Sequence, residues 1–204
     1  RFHVKQYFAL RSVEVSNATI NREVSFARAA INRVNSDFEL KLSNPFNDVK
    51  FVEQDYIPSY LKQEDYQKLL QSAKELNYHD LHDYIVLLAM TGCRPQEVRT
   101  LEWDNVHFDK KQFIVRNCWS KSKKTLYKYL NQTALEVLER RSKNRIGKWV
   151  FTNPATNKPI DSYHKCFVKL RQHAGVKCTF YDLRHSYASW LVQGAIPVSY
   201  THLR

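Results

Sequence analysis

Paired metal-binding cysteines are absent from this chain of 204 residues. Cys93, Cys118, Cys166 and Cys178 form no C-x-x-C pair, which argues against a zinc ribbon or finger. Reduced thiols in a cytoplasmic protein are the simpler reading. The eight histidines show no H-E-x-x-H or related spacing, so no metal is assigned and no cofactor is expected. Glycine (4) and proline (6) are scarce, which excludes collagenous and long flexible segments. No apolar run reaches the ~18 residues of a membrane span, and no signal peptide is read. Acidic residues are also in deficit, 20 against 32 Lys and Arg, leaving a net charge of +12 and a pI near 9.5. A surface this basic attracts polyanions, most commonly nucleic acid. Anionic membrane would require a basic amphipathic helix, and no convincing one is found, so no membrane partner is expected.

What is present is mostly helical periodicity. Residues 1 to about 43 read as helix, with Thr19 as a cap and Ile20, Val24, Ala27, Ile31 and Val34 near the 3.6 period. Asn44-Pro45-Phe46 ends that region. Residues 47–60 have little periodicity and read as a linker between a small helical part and a larger domain. Helices are expected over 63–76, 81–90 and from Pro95 to 103, with Pro95 placed where its missing N–H costs nothing. Further helices are expected over 133–141, from an Asp161 cap to about His173, and over 180–193. Three strands are read at 106–108, 112–115 and 125–130. The basic run Ser120-Lys121-Ser122-Lys123-Lys124 forms the tip between the last two. The expected fold is thus mainly α with a small three-stranded antiparallel β-sheet.

Two stretches stand out. Thr179-Phe180-Tyr181-Asp182-Leu183-Arg184-His185-Ser186-Tyr187-Ala188-Ser189 sets an arginine among large apolar residues. Thr91-Gly92-Cys93-Arg94-Pro95-Gln96-Glu97-Val98 sets another at a helix start. A planar, permanently charged guanidinium suits bidentate grip of a phosphate. Two such groups at one phosphate would imply chemistry on a nucleic-acid backbone. The plainer alternatives are a surface arginine at position 94 and a structural salt bridge at Arg184. Glu97 either holds the Arg94 fork or is simply a favourable charge in a first helical turn. His185 reads best as a packing and hydrogen-bonding residue. The basic tip is a solvated or backbone-contacting loop. Arg140, Arg141, Lys165 and Lys169 extend the candidate DNA-binding surface.

Taken together, Thr91–Val98, followed by Leu101-Glu102-Trp103-Asp104-Asn105-Val106, resembles the first arginine box of the tyrosine recombinases, the phage-integrase family. Tyr181-Asp182-Leu183-Arg184-His185-Ser186 resembles the second. Thr19-Ile20-Asn21-Arg22-Glu23 and Asn44-Pro45-Phe46 are similar to the end of that family's helical core-binding domain. The resemblance implies the catalytic-domain fold over 61–197, preceded by part of the core-binding domain at 1–46. It implies attack by a tyrosine on a duplex phosphodiester through a 3′-phosphotyrosyl intermediate, without metal or nucleotide. Arg94 and Arg184 would clamp the phosphate and Lys121 would be the general acid, with Lys123 and Lys124 as competitors. Tyr181 departs from the family's usual histidine, which leaves a neutral hydroxyl donor there. Double-stranded DNA is the implied partner, with tetramers on paired sites and a role in site-specific DNA recombination or integration, of a phage or other mobile element or of the host.

A Leu-Gly-His box and a nucleophilic tyrosine at the family's spacing are not found. Tyr200 follows Arg184 by only 16 residues, and it is not read as the nucleophile. Residues 198–204 read as a tail of doubtful origin, and both ends look cut. The chain is therefore expected to bind DNA without cleaving it. The alternative is a non-catalytic regulatory or architectural DNA-binding module.

Overall fold

A computed structural model describes residues 2–51, 59–116 and 125–194. The chain divides into two compact units, residues 1–57 and 58–204.

The first unit is a helical pair, α1 (Phe2–Glu14) and α2 (Asn17–Asp37). Phe8, Ile20 and Val24 form its buried centre, with Val4, Val15, Phe46, Val49 and Phe51 packed against them. The cap of α2 is Ser16, whose side chain accepts from the Thr19 N–H. Thr19 is not the cap, because Ser16 already holds the extended backbone a cap needs (φ −68°, ψ 155°) and the helix begins at Asn17. The helix stops at Asp37, earlier than Asn44-Pro45, and Glu39 follows with a positive φ of 50°. Residues 47–51, expected as linker, are fastened to α2. Arg28 donates to the carbonyls of Phe46 (2.9 Å) and Val49 (2.9 Å). Asn21 exchanges two hydrogen bonds with the Phe51 backbone (2.8 and 2.7 Å). These bonds go to backbone groups of a segment without hydrophobic period, so the sequence pattern does not show them.

The second unit is built around α4 (His79–Thr91), nine of whose residues are buried. Such an all-round apolar helix belongs in a core. It packs against α3 (Gln63–Glu75), α5 (Pro95–Arg99), α6 (Gln132–Ser142) and α8 (Phe180–Val192). Strands β1 (Val106–His107), β2 (Gln112–Arg116) and β3 (Thr125–Tyr129) form an antiparallel sheet in the order β1-β2-β3. Phe113 and Val115 point inward from β2. Val150 donates to the Leu101 carbonyl and Trp103 to the Lys148 carbonyl (2.9 and 3.0 Å), so 148–150 runs beside the chain leaving α5. A two-stranded hairpin, β4 (Thr152–Asn153) and β5 (Lys158–Pro159), leads to α7 (His164–His173). Asp161 does not cap α7. The helix starts at His164, whose N–H donates to Ser162 Oγ (3.0 Å).

Helix α8 is tied at its start and along one side. Thr179 Oγ1 accepts from the Asp182 N–H, while Asp182 Oδ2 accepts from the Thr179 N–H (2.7 Å), a reciprocal cap. Ser59 Oγ donates to the buried Asp182 carboxylate (2.7 Å). Ser186 Oγ accepts from the Leu61 N–H (2.7 Å), and Trp190 Nε1 donates to the Leu61 carbonyl (3.0 Å).

Candidate phosphate-binding site

The site begins at a turn. Helix α4 closes on Gly92, in the left-handed conformation (φ 60°) that glycine adopts without strain. Its bare Cα also faces α8: a Cβ there would fall 2.3 Å from Tyr187 Cδ1. This close approach brings the turn that carries Arg94 against α8. Arg184 lies three residues before Tyr187 and hence on the same side of that helix.

Cys93, between the glycine and the arginine, is fully buried. Burial pushes its thiol up to about 11. Lys128 and Arg184 act against that rise, as does the hydrogen bond with Thr91, while Glu97 adds to it. Cys93 therefore sits within electrostatic reach of Arg184, which is 91 residues further along the chain (184 − 93).

Arg94 is half-exposed, and Glu97 beneath it is buried. Glu97 accepts from Arg94 Nη1 and from the Arg94 backbone N–H, both at 2.8 Å. It thus does both things the sequence left open, closing the first turn of α5 and fixing one edge of the guanidinium. Pro95 opens α5, and its carbonyl accepts from Tyr84 Oη (2.7 Å). Arg184 is half-buried, and among the described residues its guanidinium has no carboxylate or hydrogen-bond partner. The structural salt bridge considered for it is absent among those residues. A cation held in partial desolvation without a counter-charge favours binding an anion.

Tyr181, exposed in the first turn of α8, lines an open cleft of about 950 Å³ with Arg94 and Glu97. Arg99, Arg116, Lys148 and Trp149 line the same cleft. Its cations outnumber its carboxylates, which are Glu97 and Glu102. Glu102 is paired with Lys148 (3.0 Å).

Residues 59–201 match the phage integrase family. The chain belongs to that family. It is 27% identical over 195 residues to the integrase of Salmonella phage P22, a match covering 89% of this chain and 49% of that protein. The chain thus spans about half the length of this curated relative. The Tn1549 transposon integrase, solved in complex with circular intermediate DNA, superposes with a TM-score of 0.76 at 19% identity, over 95% of this chain and 73% of that one. A lambda integrase dimer bound to a COC′ core site gives 0.71 at 18%, over 88% and 68%. The fold is that of the tyrosine recombinase catalytic domain, mainly α with a small three-stranded sheet.

Within this phage-integrase fold the remaining sequence candidates divide. Lys121, Lys123 and Lys124 lie outside the described residues, as does Tyr200. Arg116 and Thr125, which flank the segment carrying the lysines, are paired across β2 and β3. His185 is half-buried beside Arg184. Lys165 and Lys169 stand exposed one turn apart on α7.

Arg140 and Arg141 both pair with acidic residues of α4. Arg140 pairs with the buried Asp83 of α4. Arg141 bonds Asp80 (2.7 Å), Asp83 (3.2 Å) and the Val150 carbonyl (3.0 Å), and its guanidinium lies over the Phe151 ring. These contacts give Arg141 a structural role within the fold. The long-range partner, Asp83, gave no local signal. Arg116 and Lys148 line the cleft instead; only Arg116's place, at the end of an alternating strand, was readable as outward-facing.

Proposed function

We propose that this chain is part of a site-specific recombinase that breaks and rejoins duplex DNA through a 3′-phosphotyrosyl intermediate. The observation that carries the reading is the half-buried Arg184, without a hydrogen-bond or carboxylate partner among the described residues, on the side of α8 against which Gly92 packs, two residues before Arg94. In the pentacoordinate transition state the nonbridging oxygens gain negative charge. Arg94, pinned by Glu97, and Arg184 would stabilise it with donors already in position. Tyr181 would add a neutral hydroxyl donor. The departing 5′ oxygen takes up a proton, and Lys121 is assigned as its general acid. Lys123, Lys124, Lys165 and Lys169 would neutralise neighbouring phosphates. Residues 1–46 are assigned to the core-binding domain, and self-association on paired DNA sites accompanies the reaction. The work is done on DNA in the cytoplasm.

No tyrosine after Arg184 stands at the family's spacing, so the polypeptide 1–204 alone is expected to bind duplex and form no covalent adduct. The test is covalent capture of a nicked duplex by a form that carries the nucleophile. Arg94→Ala and Arg184→Ala should each lower capture by about 10²–10³-fold, the scale of losing one preorganised oxyanion donor, while most duplex binding is kept. Undiminished adduct in either variant would refute the assignment. Tight binding with no adduct from any form would favour a purely DNA-binding module.

A further inference from the structure

Strand β3 carries a basic residue that the site described above does not use. In its register with β2, Lys128 lies opposite Phe113 and Leu126 opposite Val115. Directly opposed residues share a face of the sheet. Phe113 and Val115 are buried, so Lys128 belongs to the inward face, and it is the one residue of β3 that is partly covered. Tyr127 and Tyr129 belong to the outward face.

The end of the strand is pinned beside the C-terminus of α4. Leu130 is buried, and the Asn131 side chain, which also caps α6, lies 3.3 Å from Met90 Sδ. Met90 is two residues before Gly92. Lys128 is thus a cation on the core-facing side of a strand whose end abuts the turn bearing Arg94. Among the described residues it has no carboxylate or hydrogen-bond partner. It acts on the Cys93 thiol together with Arg184. A partly covered ammonium with no carboxylate paired to it among the described residues, within electrostatic reach of the same buried thiol as Arg184, raises the cost of the empty site. A bound anion removes that cost.

We propose that Lys128 is a third cationic arm of the same site, contributing an ammonium to the phosphate that Arg94 and Arg184 grip. The inference rests on the phosphate-binding reading above. It also gives a physical role to the inward-facing charge: Tyr181 supplies only a neutral donor, and an ammonium from the sheet side restores positive charge to the cluster. An ammonium acts as a point charge on a flexible stem, so its reach does not demand the bidentate geometry of the arginines.

The experiment is NMR of the 204-residue chain carrying 13Cε-labelled lysine, titrated with inorganic phosphate. The Lys128 signal is identified by its loss in Lys128→Arg. The expected result is a saturable shift of that signal, abolished by Arg184→Ala. Lys128→Gln should weaken phosphate binding about tenfold, as for loss of one charged hydrogen bond, and Lys128→Arg should retain most of it. Unchanged thermal melting of both variants separates this effect from misfolding. A Lys128 signal that stays still while Arg94→Ala and Arg184→Ala weaken phosphate binding overturns the third arm and leaves the two-arginine site standing. Phosphate binding indifferent to all of these substitutions overturns both.

Discussion

Gly92 and Tyr187 meet with no room for a side chain between them: the nearest ring carbon lies 2.3 Å from where a Cβ would be. The contact joins the end of α4 to the helix that carries Arg184. Gly92→Ala therefore faces two penalties, a left-handed backbone (φ 60°) and a collision. The first costs about 1–2 kcal/mol, and overpacking adds about 1–3 kcal/mol. Urea denaturation should show a combined loss of about 2–5 kcal/mol. In a Tyr187→Ala background the same substitution should cost only the backbone part. Equal cost in both backgrounds would show that the ring is not the obstacle.

Ser186 offers a second test of how α8 is held. Its hydroxyl donates to the Asp182 carbonyl and accepts from the Leu61 N–H, both at 2.7 Å, in a fully buried setting. Ser186→Ala leaves that amide without its partner, at a cost of about 1–3 kcal/mol. Hydrogen exchange of the Leu61 amide should accelerate in the variant. Unaltered protection would mean that the hydrogen bond contributes nothing to holding 59–61 on the helix.

Asp83 predicts an acid-sensitive core. Burial alone would raise its carboxyl, but the His82 hydrogen bond and the Arg140 and Arg141 charges outweigh it and hold the group below its usual range. A carboxylate depressed in the folded state stabilises fully above its unfolded pKa of about 4. That stability is lost as pH falls through the lower folded value. Asp83→Asn should cost about 3 kcal/mol at neutral pH, because buried arginine charge is left uncompensated. It should also flatten the loss of stability below about pH 4. An Asn variant with the parent's acid limb would contradict the role given to Asp83.

The two groups of basic residues should respond differently. Lys165→Ala and Lys169→Ala should each reduce the slope of log affinity for duplex DNA against log salt by about one, with unchanged melting. Arg141→Ala should instead lower stability and leave the salt slope nearly unchanged. A salt slope that drops for Arg141→Ala alone would return it to the DNA surface.

Much of the fold was legible because its signals are local. The apolar density of 81–90, the Gly92 break and Pro95 after it mark α4 and α5. The alternation over 125–130 and the turn residues at 109–111 mark the sheet. The misplaced details all depend on competition or distance. Ser16 wins the cap over Thr19 three residues away, Ser162 engages the first turn of α7 rather than Asp161, and Arg28 ties down 46–51 through backbone carbonyls that leave no trace in sequence. For the site, the spacing of 94 and 97 made their contact readable. That Arg141 belongs to Asp83, and that Lys128 comes within electrostatic reach of Cys93, depend on relationships 58 and 35 residues apart (141 − 83 and 128 − 93).

The most direct test of the central claim is a double-mutant cycle in inorganic phosphate binding, using Arg94→Ala, Arg184→Ala and the combined variant of the 204-residue chain. Two guanidinium groups on one phosphate should be coupled, so the double variant should lose clearly less affinity than the sum of the single losses. Strictly additive losses, or an Arg184→Ala variant that binds phosphate as tightly as the parent, would place the two arginines in separate sites.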